Sequence, residues 1–274
     1  MSLKGKIEIV GKTDTGIVRD HNEDAISFDD ALGLAILADG MGGHRGGEVA
    51  SAITVSTIQE SLTKKLKQIK PGETDDETGY SLESIAVHEA VNLANGNVYT
   101  SSSENAQYRG MGTTVVVLLF YDNRFTVAHV GDSRLYRLRD DVLEQVTRDH
   151  SLMQELIDRG FYTPEQARKS LNKNLVTRAI GIEEKVQVDI LEDVAQTGDI
   201  YLLCSDGVTD MIDDDLIYKT ITENSEDLSM VASELIRLAN EQGGKDNISA
   251  IVARTLKPFQ AKNSLFSRLF DLFS

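Results

Sequence analysis

Five acidic side chains stand where apolar stretches of the sequence give way to turns. Carboxylates in such places can bind a hard cation or move a proton. Asp39 closes the apolar run Leu32–Ala38, and Gly40, Gly42, Gly43, Gly46 and Gly47 follow it. Asp132 follows FTVAHV within Gly131-Asp132-Ser133-Arg134, and Asp206 follows DIYLLC within Ser205-Asp206-Gly207. Asp246, with Asn247 beside it, precedes ISAIVARTL. Glu23 lies in Arg19-Asp20-His21-Asn22-Glu23-Asp24, ahead of the first of these runs. Taken singly, an Asp-Gly pair is a turn and a charged hexapeptide is a solvated loop. The repetition is what carries information. Strand ends in a sheet can meet at one rim, and five acids gathered there would repel strongly in a low dielectric.

Divalent cations resolve that repulsion. All-oxygen ligands, with the Gly40 carbonyl as a further donor, favour Mg²⁺ or Mn²⁺ over Zn²⁺. His21, His44, His88, His129 and His150 show no zinc-type pair spacing. Two such ions about 3.5–4 Å apart can share a water and lower its pKa from about 15.7 towards 7. The resulting hydroxide can attack phosphorus in line while the ions and an arginine absorb charge. Arg19 offers the planar fork that phosphate needs. The pattern therefore supports metal-dependent phosphoester hydrolysis. Two other phosphate chemistries fail on spacing. Gly5 and Gly11 are separated by one residue too many for a P-loop, and Asp210 stands where a cysteine-based phosphatase would need arginine after Cys204.

Around these acids, the periodicity predicts the elements that hold them. Strands are expected over Lys6–Val10, Leu32–Ala38, Asp199–Cys204 and ISAIVARTL. Thr113–Tyr121, Arg124–Val130, Arg134–Arg139 and Val142–Val146 read as an antiparallel meander. Helices are expected from Glu48, over Tyr80–Val98 with a stripe through Leu82, Ala86, Ala90 and Leu93, over Ser151–Arg159, and over Leu228–Asn240. Residues 150–195 have few long apolar runs and suit a flap or a plain connection. The chain of 274 residues carries a net charge of −16, which disfavours nucleic acid as a partner. One cysteine excludes an internal disulfide, and no apolar run reaches the ~20 residues of a membrane span. A soluble, cytoplasmic protein is expected. Leu265, Phe266, Leu269, Phe270, Leu272 and Phe273 give the tail an apolar helical stripe, expected to dock on the body; a partner-binding helix is the next reading, and membrane contact is disfavoured by the few bases.

In this order the residues resemble the metal-dependent protein phosphatases, the type-2C serine/threonine family (PPM), in their bacterial form. The motifs are R-x-x-N-E-D at 19–24, D-G-M-G-G-H at 39–44, M-G-T-T at 111–114, G-D-S-R at 131–134, D-H-S at 149–151, S-D-G at 205–207 and D-N at 246–247. The resemblance implies an α+β fold, a four-layer α-β-β-α sandwich of two central antiparallel sheets with a dinuclear site at one edge. It implies a phosphatase domain over residues 1–256, with a flap at about 150–195, and a C-terminal amphipathic tail over 257–274. It implies two Mn²⁺ or Mg²⁺ ions, with a third, weaker one. Asp39 would bridge both ions, Asp206 and Asp246 would complete the first, Glu23 and the Gly40 carbonyl would hold the second, and Asp132 would serve the third. Arg19 would hold the substrate phosphate, and Asp24 and Asn247 would support the ligands from behind. Met41 stands where many eukaryotic members carry a histidine, which leaves His44 as the nearest general acid, against protonation by metal-bound water. Ser170-Leu171 replace a frequent His-Pro, so flap details do not transfer. The implied partners are phosphorylated proteins and an opposing Hanks-type kinase. The alternative is a catalytically silent phosphoprotein-binding module.

Overall fold

The structure, a computed structural model, describes residues 2–43, 45–163, 166 and 175–261. Among the described residues, eleven strands form two antiparallel sheets. Strands β1 (Ile7–Asp14), β7 (Arg134–Arg139), β8 (Val142–Gln145), β10 (Ile200–Cys204) and β11 (Ile248–Thr255) make one, in the order β1-β11-β10-β7-β8. Strands β2 (Asp24–Asp29), β3 (Leu34–Met41), β5 (Val115–Tyr121), β6 (Arg124–Val130) and β9 (Asp189–Val194) make the other, in the order β2-β3-β5-β6-β9, and the short β4 (Gly112–Thr113) pairs with β3.

The layering follows from side-chain alternation along each strand. In β3, Ala35 and Leu37 turn inward and pack with Val116, Leu118, Leu203 and Ile251 between the sheets. Their neighbours Leu34, Ile36 and Ala38 turn outward against helices α1 (Gly46–Lys65) and α2 (Leu82–Glu104). Because both faces of β3 are covered, its sequence is a continuous apolar run rather than an alternating one. On the far side, α5 (Asp214–Glu223) and α6 (Leu228–Glu241) cover the other sheet through Ile217, Ile221, Val231, Leu235 and Ile236. The order of layers is helix, sheet, sheet, helix. The short α3 (Leu152–Asp158) and α4 (Asp206–Thr209) lie at strand ends.

Two expectations are corrected. The stretch from Thr113 to Val146 is not one meander. β6 pairs with β5 and β9, whereas β7 pairs with β10 and β8. Gly131, at φ 108°, breaks the ladder and carries the chain from one sheet to the other. The apolar stripe of α2 is also rotated. Leu93 is 51% exposed, and Val87, Val91 and Val98 take the buried face with Ala86, Ala90 and Ala94.

At the C-terminus, Phe259 enters the core between the sheets, edge-on to Phe120. Its backbone N–H donates to Asn123 Oδ1, and that of Ala261 to Asp122 Oδ1. The apolar stripe from Leu265 to Phe273 lies outside the described residues. No helix among the described residues is long and apolar enough to cross a membrane.

Candidate active site

Antiparallel pairing sends the end of β3, β6 and β10 and the start of β2, β7 and β11 to the same rim. That geometry gathers the predicted acids. Asp39 faces Asp24 across the β2–β3 register. Its backbone is pinned from β4 and β5: Thr114 N–H donates to Asp39 O at 2.8 Å, Thr113 Oγ1 donates to the same oxygen at 2.8 Å, and Asp39 N–H donates to Thr114 Oγ1 at 3.2 Å. These threonines were visible in the sequence as a motif, but nothing local revealed that they lock the strand end carrying Asp39.

The rim is strained electrostatically. Burial, then the charges of Asp24, Asp206, Asp132 and Asp246, push the Asp39 carboxyl well above the ordinary carboxylate range. Burial, then Asp132, Asp210, Asp246 and Asp24, do the same to Asp206. Asp24 is pushed up to about 6, chiefly by burial. Asp132 is also pushed up to about 6, by burial and then by Asp149. Asp210, which the sequence reading used only to exclude a cysteine phosphatase, thus belongs to the same field. Two cations nearby are committed. Arg19 ion-pairs with Asp246 Oδ2 at 2.7 Å, and Arg134 is held by Asp149.

Supporting groups fix the loop from Arg19 to Asp24. Asn247 Oδ1 accepts from Glu23 N–H at 2.7 Å, while its Nδ2 donates to Thr15 O and His21 O. Ser205 and Ser249 hydroxyls donate to Asp24 Oδ2 at 3.0 and 2.6 Å. The other Asp24 oxygen is buried with no partner among the described residues. Glu23 passes close over the start of α1, where a Cβ on Gly47 would lie 2.6 Å from Glu23 Oε2. A bare backbone at Gly40 and Gly47 is what lets this carboxylate and the strand end approach. The structure therefore brings Arg19, Glu23, Asp24, Asp39, Gly40, Asp132, Asp206, Asp246 and Asn247 to one rim. His44 lies outside the described residues.

An all-oxygen donor set whose carboxylates repel one another fits Mg²⁺ or Mn²⁺. Among the described residues, however, the donor atoms that converge within 4.8 Å in a set of three are elsewhere, at His129, His150 and Asp189. That set does not fit a metal. His150 Nδ1 accepts from Gly131 N–H at 3.1 Å, so the ring proton is on Nε2, the atom that faces Asp189. A metal on Nε2 would need the proton on Nδ1, against another N–H. Arg178 already supplies the cation, 2.8 Å from Asp189 Oδ1 and 3.2 Å from His150 Nε2. Among the described residues, no three of the rim carboxylates bring their oxygens within 4.8 Å of one another.

The fold and rim have known relatives. A family model for protein phosphatase 2C matches residues 17–253. The serine/threonine phosphatase stp of Listeria innocua serovar 6a is 35% identical over 244 residues, covering 88% of this chain and 93% of the relative. The crystal structure of the Mycobacterium tuberculosis serine/threonine phosphatase PstP/Ppp superposes with a TM-score of 0.81 at 35% identity, covering 92% of this chain and 99% of that one. A second structure of the PstP catalytic domain, in complex with 2 manganese ions, superposes at 0.77 with the same identity and coverage. The chain belongs to the protein phosphatase 2C family.

Proposed function

We propose that the rim hydrolyses phosphoserine and phosphothreonine in proteins with two Mn²⁺ or Mg²⁺ ions. The observation that carries this reading is the set of half-buried carboxylates at Asp24, Asp39, Asp132 and Asp206, all held above their ordinary range on a phosphatase fold. Such a set is costly without cations and suited to them. In this reading Asp39 would hold both ions, Asp206 and Asp246 the first, Glu23 and the Gly40 carbonyl the second, and Asp132 a third, weaker one. Ions bound there supply Lewis-acid polarisation of phosphoryl oxygens and acidify a coordinated water.

The remaining work falls to the chain. Arg19 reaches the rim from an exposed loop and binds the phosphate through its guanidinium fork, exchanging Asp246 for the incoming oxygens. Asp24 and Asn247 hold the strand end and the loop, and the departing serine or threonine oxygen takes its proton from His44 or from water at the ions. The substrates are phosphorylated proteins. We place the protein in the cytoplasm, opposing a serine/threonine kinase. The lone, buried Cys204 suits a reducing compartment.

The test is phosphate release from a phosphothreonine peptide with Mn²⁺, with EDTA, and in Asp206→Asn. Metal-dependent release that the substitution abolishes supports the reading. Absence of release from phosphothreonine and phosphoserine peptides under either metal refutes it.

A further inference from the structure

The turn that carries Asp132 is held after the aspartate by Ser133, whose hydroxyl lies 2.7 Å from Thr114 Oγ1, and before it by Gly131. Gly131 has no side chain and cannot gain one, since its φ is 108° and a Cβ would lie 2.6 Å from Thr114. Both of its backbone polar groups go to one residue. Gly131 N–H donates to His150 Nδ1 at 3.1 Å, and His150 N–H donates to Gly131 O at 2.9 Å. His150 is 6% exposed. Its ring stacks on His129 at 4.6 Å, and its Nε2 lies 3.3 Å from Asp189. Burial, His129 and Arg178 keep its pKa below the usual range, so the ring stays neutral and Nδ1 stays an acceptor. The backbone of His150 is tied as firmly: its carbonyl accepts from Thr177 N–H at 2.8 Å, and the next residues pair with Leu175 and Val176.

We propose that His150 is a positioning residue for the phosphatase reaction: through Gly131 it fixes the turn that presents Asp132, in the conformation that binds a divalent cation. The inference rests on the proposed function, because it assumes that Asp132 binds an ion. It assigns no ligand role to His150, whose tautomer forbids one.

Two substitutions separate the acceptor from the rest of the ring. Asn places its Oδ1 near the position of Nδ1 and stops short of Asp189; Gln places its amide near Nε2 and leaves Gly131 N–H unpaired. Mn²⁺ binding to the full chain is measured directly, by the electron paramagnetic resonance of free Mn²⁺ and by calorimetry, with thermal melts of the metal-free proteins as the folding control. Asp132→Asn marks the binding event that belongs to Asp132. We expect His150→Gln to weaken that event by about tenfold, the scale for removing a residue that orients a ligand. His150→Asn should stay within about threefold of the unsubstituted protein. A merely structural role would move the melting temperature of both variants and leave the Asn–Gln difference in affinity at zero.

Equal Mn²⁺ affinity in all three proteins overturns the proposal. So does an Asn variant as weak as Gln, or the finding that Asp132→Asn removes no binding event. If the Gln variant does not fold, the Asn variant decides alone: near-normal binding supports the proposal and a tenfold loss overturns it. A chain that binds Mn²⁺ and releases phosphate while failing these tests loses only this inference. A chain that binds no Mn²⁺ loses the proposed function as well.

Discussion

Two regions of this molecule place aspartates at the ends of buried strands, and they resolve the charge in opposite ways. At the start of β10, Asp199 is 2% exposed and fully paired. Arg139 donates to it through Nε and Nη2 at 2.8 and 2.6 Å, and Tyr201 Oη and Gln196 N–H donate as well. Asp149, although it lies beside the rim, is likewise forked by Arg134 at 2.9, 3.1 and 2.7 Å. At the opposite end of β10, the acids around Asp39 and Asp206 face one another instead, and burial and mutual charge hold both well above their ordinary range. Paired acids fasten strands. Unpaired acids store a demand for cations, which is the physical content of a metal site before the metal arrives.

The comparison breaks if the two kinds of acid respond alike to removal of charge. Asp39→Asn should cost roughly a thousandfold in kcat/KM at saturating Mn²⁺, the scale of the several kcal/mol that Lewis-acid stabilisation supplies. The same substitution should raise the melting temperature of the metal-free protein, because it removes a repelling charge. Near-normal phosphopeptide hydrolysis in Asp39→Asn would refute the bridging role. At the paired site the signs reverse. Arg139→Met strands a buried carboxylate and should destabilise the fold by about 3–5 kcal/mol. Hydrolysis by the folded fraction should keep its Mn²⁺ dependence. Denaturant melts paired with a Mn²⁺ titration separate the two outcomes, and an Arg139→Met protein of normal stability would show that pairing is not what distinguishes the regions.

How far this was legible in the sequence depends on what each feature is made of. β3, β5, β10 and β11 are buried on both faces, so they appear as unbroken β-branched or aliphatic runs. β2 and β9 sit at sheet edges, half exposed with charges at their ends, and DAISFD and DILEDV carry too weak an alternation to stand out. The helix DDLIYKTITE escaped for a related reason: it is ten residues long, and its acidic start hides a short apolar face. The strand-then-aspartate pattern brought the acids of the rim to attention, but it applies equally to Asp149 and Asp199. What separates them is an arginine 15 residues from Asp149 in the chain and another 60 from Asp199. No local signal encodes such partners. The Thr113–Thr114 clamp on Asp39 and the approach of Asp210 are invisible for the same reason: they exist only once distant strands share a rim.

The pH dependence of stability sharpens the contrast at a smaller scale. Asp24 and Asp132 titrate near 6 in the folded, metal-free protein and near the ordinary carboxylate value of about 4 when unfolded. Between those values the folded state holds more protons than the unfolded one, so stability falls as pH rises from about 4 to 6. Mn²⁺ competes with those protons and should raise the melting temperature more at pH 7.5 than at pH 5. A loss of about 10 °C across the window is the expected size for a domain of this length. Calorimetric melts in EDTA and in Mn²⁺ would show it, and metal-free stability that instead climbs steadily from pH 4 to 7 would mean the rim acids are compensated after all.

The smallest expected effect tests the one ion pair that joins the two behaviours. Arg19 pairs with Asp246 as the structural arginines pair with their acids, yet its side chain is 50% exposed and Asp246 is 34% exposed. An exposed pair of this kind contributes about 0–1 kcal/mol, too little to fasten the loop and little enough to yield to a phosphate. If Arg19 is borrowing Asp246 until substrate and ion arrive, Arg19→Ala frees an oxygen for the metal. Mn²⁺ binding should then tighten, by up to about fivefold on that energy scale, while KM for a phosphopeptide rises. Arg19→Lys should raise KM too, because an ammonium lacks the fork. Weaker Mn²⁺ binding in Arg19→Ala would mean that Arg19 orders Asp246 for the metal, which would place the pair with Arg139–Asp199 on the structural side of the comparison.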